Sequence, residues 1–280
     1  MVLPPQKLYL QTVREIKAIA SKIAAALEIS GPFNIQFIAK DNKVSVIECN
    51  LRASRSFPFV SKVSGHNFIE LATKAILGQN PEPLKSSTLE LGHVGVKVPQ
   101  FSFGRLRGAD PVLGVEMAST GEVACIGDTL EDAFLKAMLS VGVKIPEKNI
   151  LVSVHGDKGR FKLLPVLRRV QKRGFHLYGT EHTAAFFNGH GVKMARLFKL
   201  QEKGEPNILS YMRQRRLDLV ICIPDTELQA GIDEEYELRR NAVDHSITLL
   251  TNLQVSKLFL DSIIKLKKDD LEIKAWDEYV

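Results

Sequence analysis

The chain is short of cysteine, of long apolar runs and of any dominant charge, and each shortage removes a class of explanation. Only Cys49, Cys125 and Cys222 occur in 280 residues, and no two form a CxxC pair. A disulfide scaffold or thiolate zinc site is excluded as the organising device. Thiols set singly in apolar runs behave as small hydrophobes and fit a reducing compartment, the cytoplasm. No apolar stretch reaches the roughly 18 residues of a spanning helix, so no membrane partner is expected. The first residues lack the apolar core of a signal peptide. The seven histidines lack metal-ligand spacing. Asn188-Gly-His-Gly191 is too short for a dinucleotide fingerprint and reads as a turn. Neither a GxSxG elbow nor a Cys/His nucleophile arrangement is present, and there is no internal repeat.

Basic excess is small as well. Lys and Arg number 38 against 32 Asp and Glu, a net charge of +6. The two signs are interspersed, which does not mark a nucleic-acid binder. The pairs Arg168-Arg169, Arg215-Arg216, Arg239-Arg240 and Lys267-Lys268 lie far apart. They read as solvated surface, with steering of an anionic ligand as the other reading.

Among the features present, residues 7–29 form an Ala-rich amphipathic segment whose Ile16, Ile19, Ile23 and Leu27 recur at helical spacing, predicting a core-facing helix. Gly31-Pro32 ends it. Two β-like runs follow, 33–39 and 44–50, joined through Lys40-Asp-Asn-Lys43 as a hairpin. A helix is predicted over 67–77, stopped by Gly78, then a polar loop over 79–92. Short strands are predicted at 94–98 and 122–126, and a helix over 130–141 begins at Thr129-Leu-Glu-Asp132, which resembles a capping box. Residues 142–149 read as an interdomain linker. From 150 onward strands alternate with helices: strands at 150–154, 175–178, 192–198, 217–223 and 248–250, helices at 161–173, 181–190, 207–216, 233–246 and 253–266. That alternation predicts a doubly wound α/β domain around a parallel sheet. The charged residues 267–280 are expected to trail it.

Two places carry chemistry. With Asp41-Asn42-Lys43 as a three-residue loop, Lys40 pairs with Val44 and Gln36 falls opposite Glu48. Residues i and i+2 of a strand share a face, so Gln36, Glu48 and Asn50 lie together, with Arg52 and Arg55 just beyond. One carboxylate between amide oxygens suits Mg²⁺ or Mn²⁺. Arginines beside it suit phosphate oxygens. A metal bridging phosphates is what ATP-driven phosphoryl transfer requires. A solvated hairpin face with an ordinary arginine pair is the alternative. Glu48 weighs against it, because Val46-Ile47-Glu48-Cys49 reads as an apolar run in which an uncompensated carboxylate is costly. The second place is in the doubly wound region, where Gly156-Asp-Lys158 follows the first strand and Gly179-Thr-Glu-His-Thr183 the second. Loops leading into helix N-termini bind anions, and Thr180 and Thr183 are spaced to share one phosphate. Helix capping by Thr180 explains the same residues equally well.

Gly31-Pro-Phe-Asn-Ile-Gln-Phe37 with Val46-Ile-Glu-Cys-Asn-Leu-Arg-Ala-Ser-Arg-Ser-Phe-Pro-Phe-Val-Ser-Lys62 resembles the metal- and phosphate-binding end of the ATP-grasp domains of carbamoyl-phosphate synthetases, specifically the half that phosphorylates carbamate. The resemblance implies metal ligation by Gln36, Glu48 and Asn50, phosphoryl contacts by Arg52 and Arg55, and ATP as cofactor. Residues 94–103 and 114–127 resemble the animal-type pyrimidine-pathway members, which form part of a multifunctional protein. Gly95 stands where bacterial members hold an ornithine-binding glutamate, so ornithine control is not implied. Residues 150–265, with Tyr236-Glu-Leu-Arg-Arg-Asn-Ala-Val-Asp244 and Leu249-Leu-Thr-Asn-Leu-Gln254, resemble the methylglyoxal-synthase-like regulatory domain that ends these synthetases. That implies an effector site at Lys158, Thr180, Thr183 and Lys199, with UTP and phosphoribosyl pyrophosphate as effectors. Relatives hold asparagine where Cys222 stands, and Asp225 replaces another polar contact. Residues 224–230 lack the glycine-rich carboxylate loop of a methylglyoxal synthase, so lyase activity is not expected.

The implied architecture is a partial ATP-grasp α+β domain over 1–147, a regulatory domain over 148–266 and a tail over 267–280. The implied partners are further synthetase domains including a glutaminase. No glycine-rich phosphate lid or adenine pocket is present, so the resemblance implies a portion of a longer synthetase that by itself makes no carbamoyl phosphate. An effector-binding module without catalysis, and the mitochondrial ammonia-dependent synthetase with N-acetylglutamate as effector, are the competing readings.

Overall fold

The computed structural model describes residues 1–84, 87–113, 117–224 and 232–279, without the side chains of 232–234. The chain forms two compact units. One comprises Met1–Lys97, Ala124–Ala133 and Ile273–Val280, the other Val98–Val123 and Phe134–Glu272.

The first unit opens with β1 (Val2–Leu3) and α1 (Leu10–Ala26). The hairpin strands β2 (Asn34–Lys40) and β3 (Lys43–Asn50) follow, and α1 lies against both. Next come α2 (Phe57–Ser64) and α3 (Phe68–Ile76), packed on each other. Helix α2 was not foreseen. Its signals are nonetheless in the sequence, since Pro58 sits in the first turn and Gly65 ends the helix with φ 72°, the proline-first, glycine-last pattern of a short helix. Strand β4 (Val94–Gln100) pairs antiparallel with β1, Leu3 opposite Gly95, in a sheet of order β1-β4-β5, where β5 is Gly121–Gly127. Gly95 has a packing reason to lack a side chain, because a Cβ there would meet Val63 Cγ2 at 2.4 Å.

The second unit takes in most of α4 (Leu130–Ser140). It continues through β6 (Asn149–Val154), α5 (Asp157–Lys172), β7 (His176–Gly179), α6 (Glu181–Gly189), β8 (Ala195–Arg196), α7 (Ile208–Arg213), β9 (Leu219–Ile223), α8 (Ile232–Asp244), β10 (Thr248–Leu250) and α9 (Leu253–Lys265). The five strands form one parallel sheet in the order β10-β9-β6-β7-β8. Both faces are covered. Leu151, Val220 and Cys222 join Ile208, Met212, Leu238 and Ala242 in one buried cluster. The alternating residues Ile150, Val152, Leu219 and Ile221 are also fully buried, as the period-2 pleat of a doubly covered strand requires. The chain runs outward from β6 to β8 and then returns to place β9 on the other side of β6. A crevice therefore opens at the carboxyl ends of these strands, the expected ligand position in such a sheet.

At residue 148, where the second domain is expected to begin, the backbone N–H groups of Lys148 and Asn149 both donate to Asp218 Oδ2, within the second unit. Two expectations are corrected. The charged end does not trail. Trp276 Nε1 donates to the Lys62 carbonyl at 2.7 Å and Lys274 pairs with Asp128 at 2.6 Å, which ties residues 273–279 to the first unit. Arg239 and Arg240 are not surface residues, being 2% and 7% exposed, whereas the other three basic pairs are exposed as expected.

Candidate functional site

The first-unit site is built on the β2–β3 ribbon. Lys40 pairs with Lys43, so the turn is the two residues Asp41-Asn42, with φ of 51° and 59°. Two consecutive left-handed residues identify a type I′ turn, whose twist matches the strands it joins. Continued without interruption, that register would set Gln36 opposite Ile47. A bulge intervenes: Phe37 faces Val46, then Gln36 faces Glu48 and Asn34 faces Asn50, leaving Ile47 without a counterpart. The three-residue loop is thereby corrected to a two-residue loop plus one bulged residue. The two displacements cancel, and Gln36, Glu48 and Asn50 share a face after all. Asn34 joins them, a residue the sequence reading passed over although it lies two places before Gln36.

Glu48 is corrected from buried to exposed. The apolar run around it is not a core strand, since Val46 and Ile47 are 41% and 56% exposed. Its carboxylate accepts a hydrogen bond from Asn50 Nδ2 at 3.0 Å, which leaves the Asn50 amide oxygen as an acceptor pointed elsewhere. On β2, Gln36 is exposed while Ile35 and Phe37 are half-buried, so the polar residue faces water and its apolar neighbours pack. Arg52 and Arg55 lie in the link between β3 and α2, both exposed. Arg52 Nη1 donates to the Ala53 carbonyl at 3.4 Å.

The second-unit site is a cavity of about 90 Å³ at the carboxyl ends of β6 and β7. The end of β6 contributes Val154, the loop after it His155, and α5 contributes Arg160. The β7–α6 junction contributes Thr180, His182 and Thr183. Lys199 follows β8, and Glu235 and Leu238 project from α8. Thr180 is the residue preceding α6, yet its side chain makes no cap bond. Its hydroxyl instead donates to Thr183 Oγ1 at 3.3 Å, and Thr183 Oγ1 also accepts from the Val154 N–H at 3.3 Å. Capping by Thr180 is thus set aside. Thr183 is 1% exposed, and with both bonds accepted its own proton is left to donate. The first turn of α6 adds unpaired N–H groups and the positive end of the helix. Arg160 is anchored by Nε to the Val154 carbonyl at 3.0 Å and by Nη1 to Asp157 at 2.9 Å. Of the residues expected to hold an effector, Thr180, Thr183 and Lys199 line this cavity. Lys158 is exposed on the first turn of α5 and lies outside the lining. Asp225 and residues 225–230 of the stretch weighed against lyase chemistry fall outside the described residues, as do residues 114–116.

Helix α8, which lends Glu235 and Leu238 to the cavity, also carries a charge cluster with two buried arginines. Arg239 on α8 donates to both oxygens of Asp110, at 2.8 and 2.6 Å. Burial works against its charge, but the Asp110 hydrogen bonds, the neighbouring Cys222 and the Asp110 charge together hold its pKa above the ordinary value. Arg240 Nη1 donates to three backbone carbonyls, of Phe103, Leu106 and Ala109, and Tyr236 donates to the Gly108 carbonyl at 2.9 Å. Cys222 is fully buried in β9, and burial pushes its thiol up to about 12. It is inert packing, not a nucleophile. Among the described residues no cluster of three His, Cys, Asp or Glu side chains exists, and no helix is long and apolar enough to cross a membrane.

Comparison with known proteins gives two family matches in chain order. Residues 1–83 match the carbamoyl-phosphate synthase L chain, ATP binding domain, and residues 162–251 match the MGS-like domain. The multifunctional protein pyr1-3 of Dictyostelium discoideum is 47% identical over 273 residues, covering 95% of this chain and 12% of that protein. The multifunctional protein CAD of Squalus acanthias is 46% identical, covering 94% and 12%. The mitochondrial ammonia-type carbamoyl-phosphate synthase of Homo sapiens is 44% identical, covering 96% and 18%. The chain thus spans a small part of the length of these relatives. A methylglyoxal synthase structure from Elizabethkingia anophelis covers 48% of the chain at 21% identity, with a TM-score of 0.31.

Proposed function

From the premise that this chain belongs to the carbamoyl-phosphate synthase family, we propose that it supplies the metal- and phosphate-holding edge of an ATP site, together with a regulatory cavity, to an ATP-dependent ligase. The reaction in this reading is phosphorylation of carbamate for pyrimidine synthesis. The partners are further synthetase domains, a glutaminase among them.

The ribbon face carries the reading. Gln36 opposite Glu48, with Asn50 two residues on, is a set of hard oxygen donors with a single carboxylate. Mg²⁺ is ordinarily held by one or two carboxylates plus substrate phosphates, not by an all-protein cage. A donor set this poor in charge therefore fits Mg²⁺ or Mn²⁺ shared with ATP. When bound, the metal would neutralise developing phosphoryl charge. Glu48 and the amides of Gln36 and Asn50 would orient the phosphates, and Arg52 and Arg55 would hold their outer oxygens in bidentate fashion. In the regulatory cavity, Thr180, Thr183, Lys199 and the α6 N-terminus would bind the phosphate of a nucleotide or sugar-phosphate effector, and Lys158 would contribute charge at the rim.

Calorimetry of the whole chain separates the parts. Mn²⁺ is expected to bind at least tenfold more tightly with ATP present than alone, and Glu48→Ala is expected to remove the difference. UTP and phosphoribosyl pyrophosphate are expected to bind independently of Glu48 and to lose affinity with Lys199→Met and Thr183→Ala. Heat from N-acetylglutamate, with none from UTP, would instead favour a regulatory site of the mitochondrial type. UTP binding with no nucleotide-dependent metal binding would leave only an effector module.

A further inference from the structure

Helix α8 has one residue in the cavity and the next turn in a buried clamp. Glu235 lines the cavity and is the only acid among its described lining residues. Four residues on, Arg239 is 2% exposed and grips Asp110 with Nε and Nη2. Its remaining nitrogen, Nη1, has no hydrogen-bond partner among the described residues. The Glu235 carboxylate stands 3.6 Å from that nitrogen, too long for a hydrogen bond but within ion-pair range. A buried N–H without a full hydrogen bond is costly, so the ion pair with Glu235 matters to the Arg239 charge. A ligand donor in the cavity competes for the same oxygen. Tyr236 and Arg240 on this helix hold the backbone of residues 103–109, and that segment continues in sequence from β4 and on towards β5.

We propose that Glu235 is the relay of this cavity: it accepts a hydroxyl or N–H donor from a phosphorylated ligand and, in doing so, changes its pairing with Arg239 and the hold of α8 on residues 103–110. The inference rests on the effector reading of the cavity and adds the ligand's orientation and the path of the response. A carboxylate repels phosphate, so the phosphate lies toward Thr183 and Lys199, and the sugar or base donors lie toward Glu235. Inorganic phosphate satisfies only the first end and does not engage the relay.

Hydrogen–deuterium exchange of the whole chain tests this, with UTP and inorganic phosphate as probes. Saturating UTP is expected to change exchange in residues 103–110 at least threefold, and saturating phosphate to leave it unchanged. In Glu235→Gln, UTP is expected to bind more weakly, held by Thr183 and Lys199, and at saturation residues 103–110 no longer respond. In Asp110→Asn, which keeps the shape of the clamp, their exchange is expected to be fast with or without UTP. UTP binding without a response at 103–110, or the same response in Glu235→Gln, overturns the relay and leaves the effector reading standing. No binding of UTP to the wild-type chain overturns both.

Discussion

The two units treat apolar side chains in opposite ways. In the second, Ile150, Leu151, Leu167, Phe187, Leu219, Ile221 and Phe259 are fully buried, and five parallel strands are covered on both faces. In the first, apolar burial is confined to a few positions such as Phe59, Val63, Val94 and Val96, while Leu27, Ile38, Val46, Ile47, Ile76 and Leu77 are exposed. The second unit is organised by a core. The first is organised by local devices: a type I′ turn, a bulge, an αL helix stop and an Asn67 cap bonded to the Glu70 N–H. The contrast matters for function. The cavity lined by Thr180, Thr183 and Lys199 sits at the end of a sheet covered on both faces, where two buried threonines are held in register. The face carrying Gln36, Glu48 and Asn50 lies on a two-stranded ribbon with Gln36 and Glu48 exposed to water.

That contrast can be broken or sharpened by substitution. The largest effect is expected in the second unit, where Phe259→Ala should destabilise by about 4 kcal/mol through transfer and cavity terms, read as a lower urea midpoint by far-UV circular dichroism. Next is an alkaline effect at Cys222, whose thiol is raised from 9.0 to about 12 in the fold. A raised folded pKa means stability that is complete below the unfolded value and falls as pH rises. The loss should be at most about 1.4 kcal/mol per pH unit between about 9 and 12. Cys222→Ala should flatten that slope relative to wild type, and equal slopes would contradict the burial. A smaller effect is expected in the first unit. Asn42→Ala should cost about 1 kcal/mol, because alanine tolerates the left-handed turn poorly and the substitution also removes the acceptor of the Thr12 hydroxyl, 3.0 Å away. Smallest is Ile47→Ser, at a bulged and exposed position, expected to stay within about 0.5 kcal/mol. A loss of 2 kcal/mol there would mean that the first unit has a core the exposure pattern does not show.

Much of the second unit was legible, because its strands are continuous apolar runs and its helices repeat at 3.6 residues. Strand β8 was the exception: a run predicted over 192–198 pairs only at Ala195–Arg196, since an edge position is set by the neighbouring strand and not by apolarity. The candidate ribbon site was legible as a set of residues but not as a geometry. Register depends on the turn type and on whether a bulge follows, and Asp41-Asn42 is compatible with loops of different length. Arg239-Arg240 was illegible for a different reason. Two adjacent arginines look the same in sequence whether they meet water or meet Asp110 and three carbonyls from residues over a hundred positions away.

What the amino-acid order decided by itself was local: where helices start and stop, which strands bury both faces, and which short segments carry carboxylate, amide and hydroxyl groups at compatible spacing. Propensity, periodicity and capping act over a few residues, so they can be read there. Tertiary structure alone decided that Glu48 faces water, that Thr180 bonds Thr183 instead of capping its helix, and that α8 carries both a cavity-lining residue and the side chains that hold a distant loop. Each of these depends on which remote groups compete for the same hydrogen bond or the same solvent, and that competition exists only once the chain has folded.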